Sequence, residues 1–461
     1  MHTAHTPLRT PAEQGAGELV YRLHDTPPLW ETLAVAVQHV LAVFGGVIAP
    51  PLVIANALHF DTQMTAYMVS MALFVSGLAT LIQIVRIGPM GSGLLSIQGT
   101  SFTFVTTIIA IGERGGMPLI LGVCAAGACV EMLVSRCLRY LQAIITPRVT
   151  GIVVTMIGLS LIKVGMTSCG GGAAAQRAGT FASAPHLALA ALVFVVIIAL
   201  NASRNRYLRM GSIIIGLLTG YCVATALGMV SFGALRELPL VQLPQPFKYG
   251  MRIDLPALMP IAFLYLITSI ETIGDITATS QVSHEPIEGP VYMQRLAGGI
   301  LADGFNSLLA AVCNTFPNTT FSQNNGVIQM TGVASRRVGI AVACMLIVLG
   351  FFPALADVVA LMPQPVLGGA TLLMFGTVAA AGVRILSSQP LDRRSVLIIA
   401  AAFGLGLGVE LVPDILRVLP EDVRIIFRSG ITTGGVTALV LQALLPKTPP
   451  APPAPATFPP V

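Results

Sequence analysis

Between residues 30 and 446 the chain is a near-continuous succession of apolar blocks, each close to the length that crosses a bilayer. A spanning helix needs about 20 predominantly apolar residues. Blocks of this kind run over 30–55, 65–86, 94–112, 117–138, 149–166, 185–201, 211–232, 256–280, 292–313, 323–334, 337–356, 366–384, 395–413 and 429–446, about fourteen in all. Only 10% of residues are charged and 54% are hydrophobic, whereas soluble domains carry roughly 25% charged residues. The pattern predicts an all-α polytopic membrane protein. A single membrane domain over 29–446 is expected between a polar N-terminal tail, 1–28, and a Pro-rich tail, 447–461. The first 25 residues are polar and lack the apolar run of a cleavable signal, so insertion through the first span is expected.

Charge gives the expected orientation. With the N-terminus inside and every block crossing, about sixteen of the 25 Lys and Arg fall on one side, among them Arg86, Arg136, Arg148, Arg295, Arg336, Arg337 and Arg393. This bias predicts both termini in the cytoplasm. The net charge of +5 is dispersed over short loops, which does not point to nucleic acid. The seven cysteines form no C-x-x-C pair and read as small buried apolar fillers.

Two blocks break the pattern. In GSGLLSIQGTSFTF (91–104), Gln98, Thr100 and Ser101 stand among three glycines. In 314–337 the amides and hydroxyls crowd together: Asn314, Asn318, Thr319, Thr320, Ser322, Gln323, Asn324, Asn325 and Gln329. Unpaired amides in hydrocarbon cost several kcal/mol each, so these stretches must lie inside protein or line a wet cavity. They are the third and tenth blocks, equivalent positions in a seven-plus-seven inverted repeat. Short, polar, Gly-interrupted segments so placed point to a transporter site built from broken helices near the bilayer midplane.

The eighth block, FLYLITSIETIGDITATS, places Glu271 and Asp275 four residues apart on one helical face, with Thr268 and Thr279 beside them. Carboxylates at membrane depth are functional by default. Two on one face repel, so one of them is expected to exchange a proton. Asp303, in the ninth block, is expected to cap or brace the tenth. In the first block, Gln38 and His39 read either as an interhelical packing pair or as a cavity-lining amide and imidazole, and an indirect role in holding the site together is favoured. Gln323 and Asn324 each offer two donors and an acceptor, and Phe102 offers either a stacking face or ordinary packing. A carboxylate, an amide, a hydroxyl and an aromatic plane together suit a flat ligand edged with N–H and C=O groups, such as a purine or pyrimidine dione. Cations are few within the blocks, which disfavours a dedicated anion carrier. Of the seven histidines only His39 lies deep in a block, with His186 at the edge of 185–201, so neither a metal site nor an enzyme nor a cofactor is expected.

The segment Gln323-Asn324-Asn325-Gly326-Val327-Ile328-Gln329-Met330-Thr331-Gly332 resembles the signature of the nucleobase–ascorbate transporters (nucleobase:cation symporter-2 family). Gln38-His39 resembles that family's first-segment motif, and the resemblance covers the chain after residue 28. It implies fourteen spans in two inverted repeats, with broken helices in segments 3 and 10. Segments 1–4 and 8–11 would form a core domain, about 29–140 and 256–356. Segments 5–7 and 12–14 would form a gate domain, about 147–234 and 364–446, through which a homodimer usually assembles. Family members carry nucleobases inward, driven in bacteria by protons. Residue by residue, Glu271 resembles the substrate-binding carboxylate and Gln323 the binding amide. Asn324 would tune affinity and Phe102 would lie against the base, while Asp303, His39, Gln38 and Asn325 would support the site. Asp275 stands where uracil carriers tend to have histidine, which implies the purine branch. Ser101 stands where xanthine carriers typically have Asn. Its neighbour Thr100 completes a Gly-Thr-Ser run that resembles the bacterial uric acid permeases, with room for the C8 oxygen of urate. Uric acid is therefore the first expected substrate and xanthine the second.

Overall fold

The computed structural model describes residues 19–141, 146–205, 208–209, 211–230, 241–321, 323–352, 361–387, 391–420, 423–424, 427 and 429–446. The expected C-terminal tail and residues 1–18 of the N-terminal one lie outside them. In chain order the elements are α1 (Leu29–Ala57), α2 (Thr62–Val85), β1 (Gln98–Thr100), α3 (Val105–Leu141), α4 (Pro147–Cys169), α5 (Gly172–Arg177), α6 (Ala184–Asn201) and α7 (Ser212–Ala226). They continue with α8 (Leu255–Val282), α9 (Gly289–Val312), β2 (Asn318–Thr320), α10 (Gln323–Thr331), α11 (Arg336–Phe351), α12 (Gln364–Ser387), α13 (Arg393–Leu411) and α14 (Gly430–Leu444). Among the described residues, eight helices are long and apolar enough to cross a membrane.

The fourteen predicted blocks map onto these elements. The third and fourth run together as α3, which bends at Gly116, where φ is 64° and a side chain would be strained. The tenth is β2 followed by the nine-residue α10. Helix is interrupted by one feature that the sequence reading did not contain. β1 and β2 pair antiparallel, with Gln98 opposite Thr320, Gly99 opposite Thr319 and Thr100 opposite Asn318. The ladder is carried on by Ser101 N donating to Pro317 O (2.8 Å) and Phe321 N to Ile97 O (2.9 Å). This ribbon satisfies the backbone groups that the two broken segments leave unpaired, as the hydrocarbon region demands.

The packing repeats under an exchange of the two halves of the chain. α2 lies along α11, with Gly77 against Ala343 and Gly350 against Phe74. The equivalent pair, α9 and the second half of α3, makes the matching contact of Gly304 with Ala128 and Met132. β1–β2 maps onto itself, and so does α4–α12. The last pair is antiparallel and close: Gly151 faces Leu386, Gly158 faces Ala379 and Gly165 faces Leu372. A Cβ at Gly158 would come within 2.3 Å of Ala379 N, so only glycine admits this approach. Small residues spaced to let backbones meet are how helices associate where water provides no drive. The helices thereby form two packing groups. One comprises α1–α3 and α8–α11 around the ribbon, and the other α4, α6, α7 and α12–α14.

Residues 19–28 are docked on the first group. Tyr21 bridges Val333 in parallel, Ala334 N donates to Tyr21 O (2.9 Å) and Arg336 N to Leu23 O (3.1 Å). Leu23 is 1% exposed, packed with Leu94, Leu296 and Ile300. The cysteines divide in a way composition did not show: Cys124, Cys169 and Cys313 are buried, whereas Cys129, Cys137, Cys222 and Cys344 are exposed on helix surfaces.

Candidate functional site

The ribbon brings the two broken segments side by side, and α8 packs across both. Their approach depends on one aromatic ring. Phe321 lies between Gly99 of β1 and Gly46 of α1, where an added Cβ would meet the ring at 2.4 and 2.7 Å. Beyond the ribbon, Ser101 Oγ accepts from Thr103 N (3.3 Å) and starts the turn Phe102–Phe104 that leads into α3. Phe102 is 8% exposed and meets Phe375 of α12 edge-on, with centroids 5.4 Å apart at 84°. It thus touches the second packing group directly.

α8 carries two adjacent polar strips. Thr268, Thr272 and Thr279 turn into the first group, where each finds an acceptor. Thr268 Oγ1 donates to Glu131 Oε1 (3.1 Å), Thr272 Oγ1 to Asp303 Oδ2 (2.5 Å) and Thr279 Oγ1 to Asn325 Oδ1 (2.7 Å). Gly274 turns instead toward α4, whose Thr150 Cγ2 is 3.8 Å from the Cβ position there, and Glu271 stands one turn earlier on the same side of the helix. Glu271 is partly exposed and accepts one hydrogen bond, from Thr103 Oγ1 (3.3 Å). Asp275, at the border of the two strips, is also partly exposed.

The three consecutive amides of α10 diverge, as successive side chains of a helix must. Gln323 is exposed. Asn324 is fully buried and donates from Nδ2 to Leu95 O, at the entry to β1. Asn325 is buried against α8 through Thr279. His39 is also fully buried. Its ring interacts with the Asn324 side chain without completing a well-formed hydrogen bond. Gln38 is 6% exposed, with Oε1 unpartnered. Asp303 is fully buried and accepts from Gln83 Nε2 (3.0 Å), Thr272 Oγ1 (2.5 Å) and Thr320 Oγ1 (3.1 Å), which ties α2, α8 and β2 to α9. Thr100 is buried in the ribbon with Oγ1 free.

The predicted residues therefore sort by exposure. Glu271, Asp275 and Gln323 keep open polar groups, while Asn324, Asn325, Asp303 and His39 are committed to or enclosed by the framework. Sequence reading passed over Glu131, Gln83 and Thr272. Glu131 is fully buried in α3 with Oε2 unpartnered, and a lone acid in the block 117–138 was the signal for it. A pocket of about 190 Å³ opens between the packing groups beside Thr106, Thr107, Glu113, Lys163, Glu410 and Ser429. It starts one turn along α3 from Phe102.

A ribbon-linked pair of broken helices, flanked by a carboxylate and facing a second helix group, is the architecture of a membrane transporter. Comparison with known proteins places it within that class. Residues 30–415 match the family model Xan_ur_permease, described as Permease family. The chain is 52% identical over 445 residues to xanthine permease XanP of Escherichia coli strain K12, covering 94% of this chain and 96% of that one. It is 34% identical over 417 residues to uric acid permease PucJ of Bacillus subtilis strain 168, covering 90% and 92%. The transmembrane domain of a cyanobacterial bicarbonate transporter, BicA, superposes with a TM-score of 0.58 at 15% identity, over 89% of this chain and 99% of that one. That likeness shows the shared seven-plus-seven inverted-repeat fold. The chain belongs to the nucleobase–ascorbate transporter family, and is an integral membrane transporter.

Proposed function

We propose that the chain carries an oxidised purine across the membrane together with a proton, with uric acid as its first substrate. The observation that carries this reading is the openness of Glu271 and Gln323 among neighbours that are otherwise committed. A carboxylate accepts from ring N–H groups, and an amide pairs with an adjacent C=O and N–H. Phe102 would lie against the ring plane. The two packing groups are the bodies that move: the first is the core and the second the gate. The Phe102–Phe375 contact and the strip of Glu271 and Gly274 lie where they meet. Alternating access by such relative motion around a fixed site is the mode this architecture supports. The pocket at Glu113, Lys163 and Glu410 would be one vestibule to the site. Asp275, beside Glu271, would share the transported proton. A cytoplasmic location for both termini and a homodimer assembled through the gate complete the proposal.

The assay is radiolabelled urate uptake, competed by xanthine, hypoxanthine, uracil and ascorbate, with and without a protonophore. Accumulation that xanthine competes and the protonophore collapses is expected. Accumulation sustained by a sodium gradient alone would overturn the coupling ion.

Xanthine is the second reading, favoured by the 52% identity to a xanthine permease. The two readings separate at Ser101. Its Oγ already accepts from Thr103 N, and Asn can serve the same capping role. Ser101→Asn should therefore fold normally while narrowing the pocket where the C8 oxygen of urate would sit. The urate/xanthine uptake ratio is expected to fall about tenfold or more, within the range that one pocket group controls. An unchanged ratio would remove the argument for urate.

A further inference from the structure

Three arginines that transport does not use converge at the end of the first group where residues 19–25 dock. Arg86 follows α2, Arg295 stands in the second turn of α9, and Arg336 opens α11. The side chains of Arg86 and Arg336 both lie against Gly93. A Cβ built there would meet Arg336 Nη2 at 2.6 Å and Arg86 Cδ at 2.7 Å. Arg336 Nε donates to Gly93 O (2.5 Å). Arg295, only 6% exposed, donates from Nη2 to Glu285 Oε2 (2.6 Å), while its Nη1 is buried without a partner. Gly91 N donates to Gly298 O (2.8 Å), which holds the helix of Arg295 against the loop that follows Arg86, and the charges of Arg295 and Arg86 oppose that of Arg336. The nearby Asp25 carboxylate is engaged by Arg22 N (2.7 Å). Three positive groups thus meet one carboxylate, Glu285, in a partly buried place, with Asp25 exposed at its edge, so positive charge is in excess. Such an excess is unfavourable until an anion balances it.

We propose that Arg86, Arg295 and Arg336 form a binding site for a phosphate-type oxyanion, supplied by an anionic lipid headgroup or by inorganic phosphate. Guanidinium forks match the oxygens of phosphate in direction as well as charge. The site lies at the end of spanning helices, the depth at which headgroups sit, and is separate from the transport site. Each arginine adjoins an element of that site. The segment after Arg86 leads into β1, and Arg336 follows α10. Arg295 precedes Asp303 on α9 by about 12 Å of helix. A bound anion would clamp these elements together, independently of what the protein carries.

The test uses Arg86→Gln, which removes one charge and, among the described residues, no hydrogen bond. Glu285→Gln is its opposite, because it removes the carboxylate paired with Arg295. Purified full-length protein is titrated with inorganic phosphate against equimolar chloride salt, and thermal midpoints are recorded. In a parallel arm, retained lipid is measured after reconstitution in phosphatidylcholine vesicles with and without phosphatidylglycerol. Arg86→Gln is expected to weaken binding about tenfold, the effect of losing one charge-assisted bond, and Glu285→Gln to tighten it. A response to phosphate identifies a soluble anion, and one confined to phosphatidylglycerol identifies a headgroup. No response of the parent protein in either arm, or equal binding by all three proteins, would overturn the site.

Discussion

Proteoliposomes carrying Glu271→Gln are expected to lose urate and xanthine uptake by about a hundredfold while the protein keeps its thermal midpoint. Both halves of this expectation follow from how Glu271 is held. It accepts a single hydrogen bond of 3.3 Å from Thr103, which a glutamine Oε1 can also accept. It has no other partner among the described residues, so the framework loses little. Conservative substitutions at such partly exposed sites change stability by about 0.5 kcal/mol or less. The cost falls on the ligand. A hydrogen bond to a charged group is worth about 1.5–3 kcal/mol, or roughly ten- to a hundredfold in affinity. Loss of a group that can accept the coupled proton adds to it. Initial rates with radiolabelled substrate, beside thermal melts of the same preparation, separate the two effects. Full uptake by Glu271→Gln would remove Glu271 from the site.

The fold was largely legible because apolar length is a coarse, strong signal. Each predicted block contains helix, the third and fourth sharing α3, and the polarity of 91–104 and 314–337 marked the two broken segments. The β1–β2 ribbon was not legible. Its three residue pairs come from opposite halves of the chain, and nothing in Gln98-Gly99-Thr100 specifies Asn318-Thr319-Thr320 as partner. Gly99 became informative only when Phe321 was seen against it. Within the site, spacing grouped Glu271 with Asp275 and with the threonines. It could not divide α8 into the strip that meets α4 and the strip whose hydroxyls are consumed inside. That division rests on partners distant in sequence: Glu131, Asp303 and Asn325. The same holds for the three amides of α10. Their divergence is dictated by helix geometry, but which one stays open depends on what packs around them.

Asp303→Ala is expected to damage the protein where Glu271→Gln does not. Asp303 is fully buried, and its two oxygens accept from Gln83, Thr272 and Thr320, which come from α2, α8 and β2. Gln83 is itself committed at both ends, since Oε1 accepts from Ser92 N (2.9 Å) and Nε2 also reaches Gly299 O (3.3 Å). Alanine would strand three donors away from water, at about 1–3 kcal/mol for each that finds no new acceptor. A loss of about 3 kcal/mol or more is therefore expected, read as a thermal midpoint lowered by several degrees and a reduced yield of folded protein. Asparagine separates shape from charge. Its Oδ1 can accept from one neighbour, and the hydroxyls of Thr272 and Thr320 can rotate to accept from its Nδ2. Asp303→Asn should thus recover most of the stability, with uptake reduced less than in Glu271→Gln, because Asp303 acts through the elements it joins. An Asp303→Ala protein as stable as the parent would show that the ribbon and α8 hold their positions without this knot. Asp303→Asn that folds normally but transports no better than Glu271→Gln would instead assign Asp303 a direct part in moving the proton.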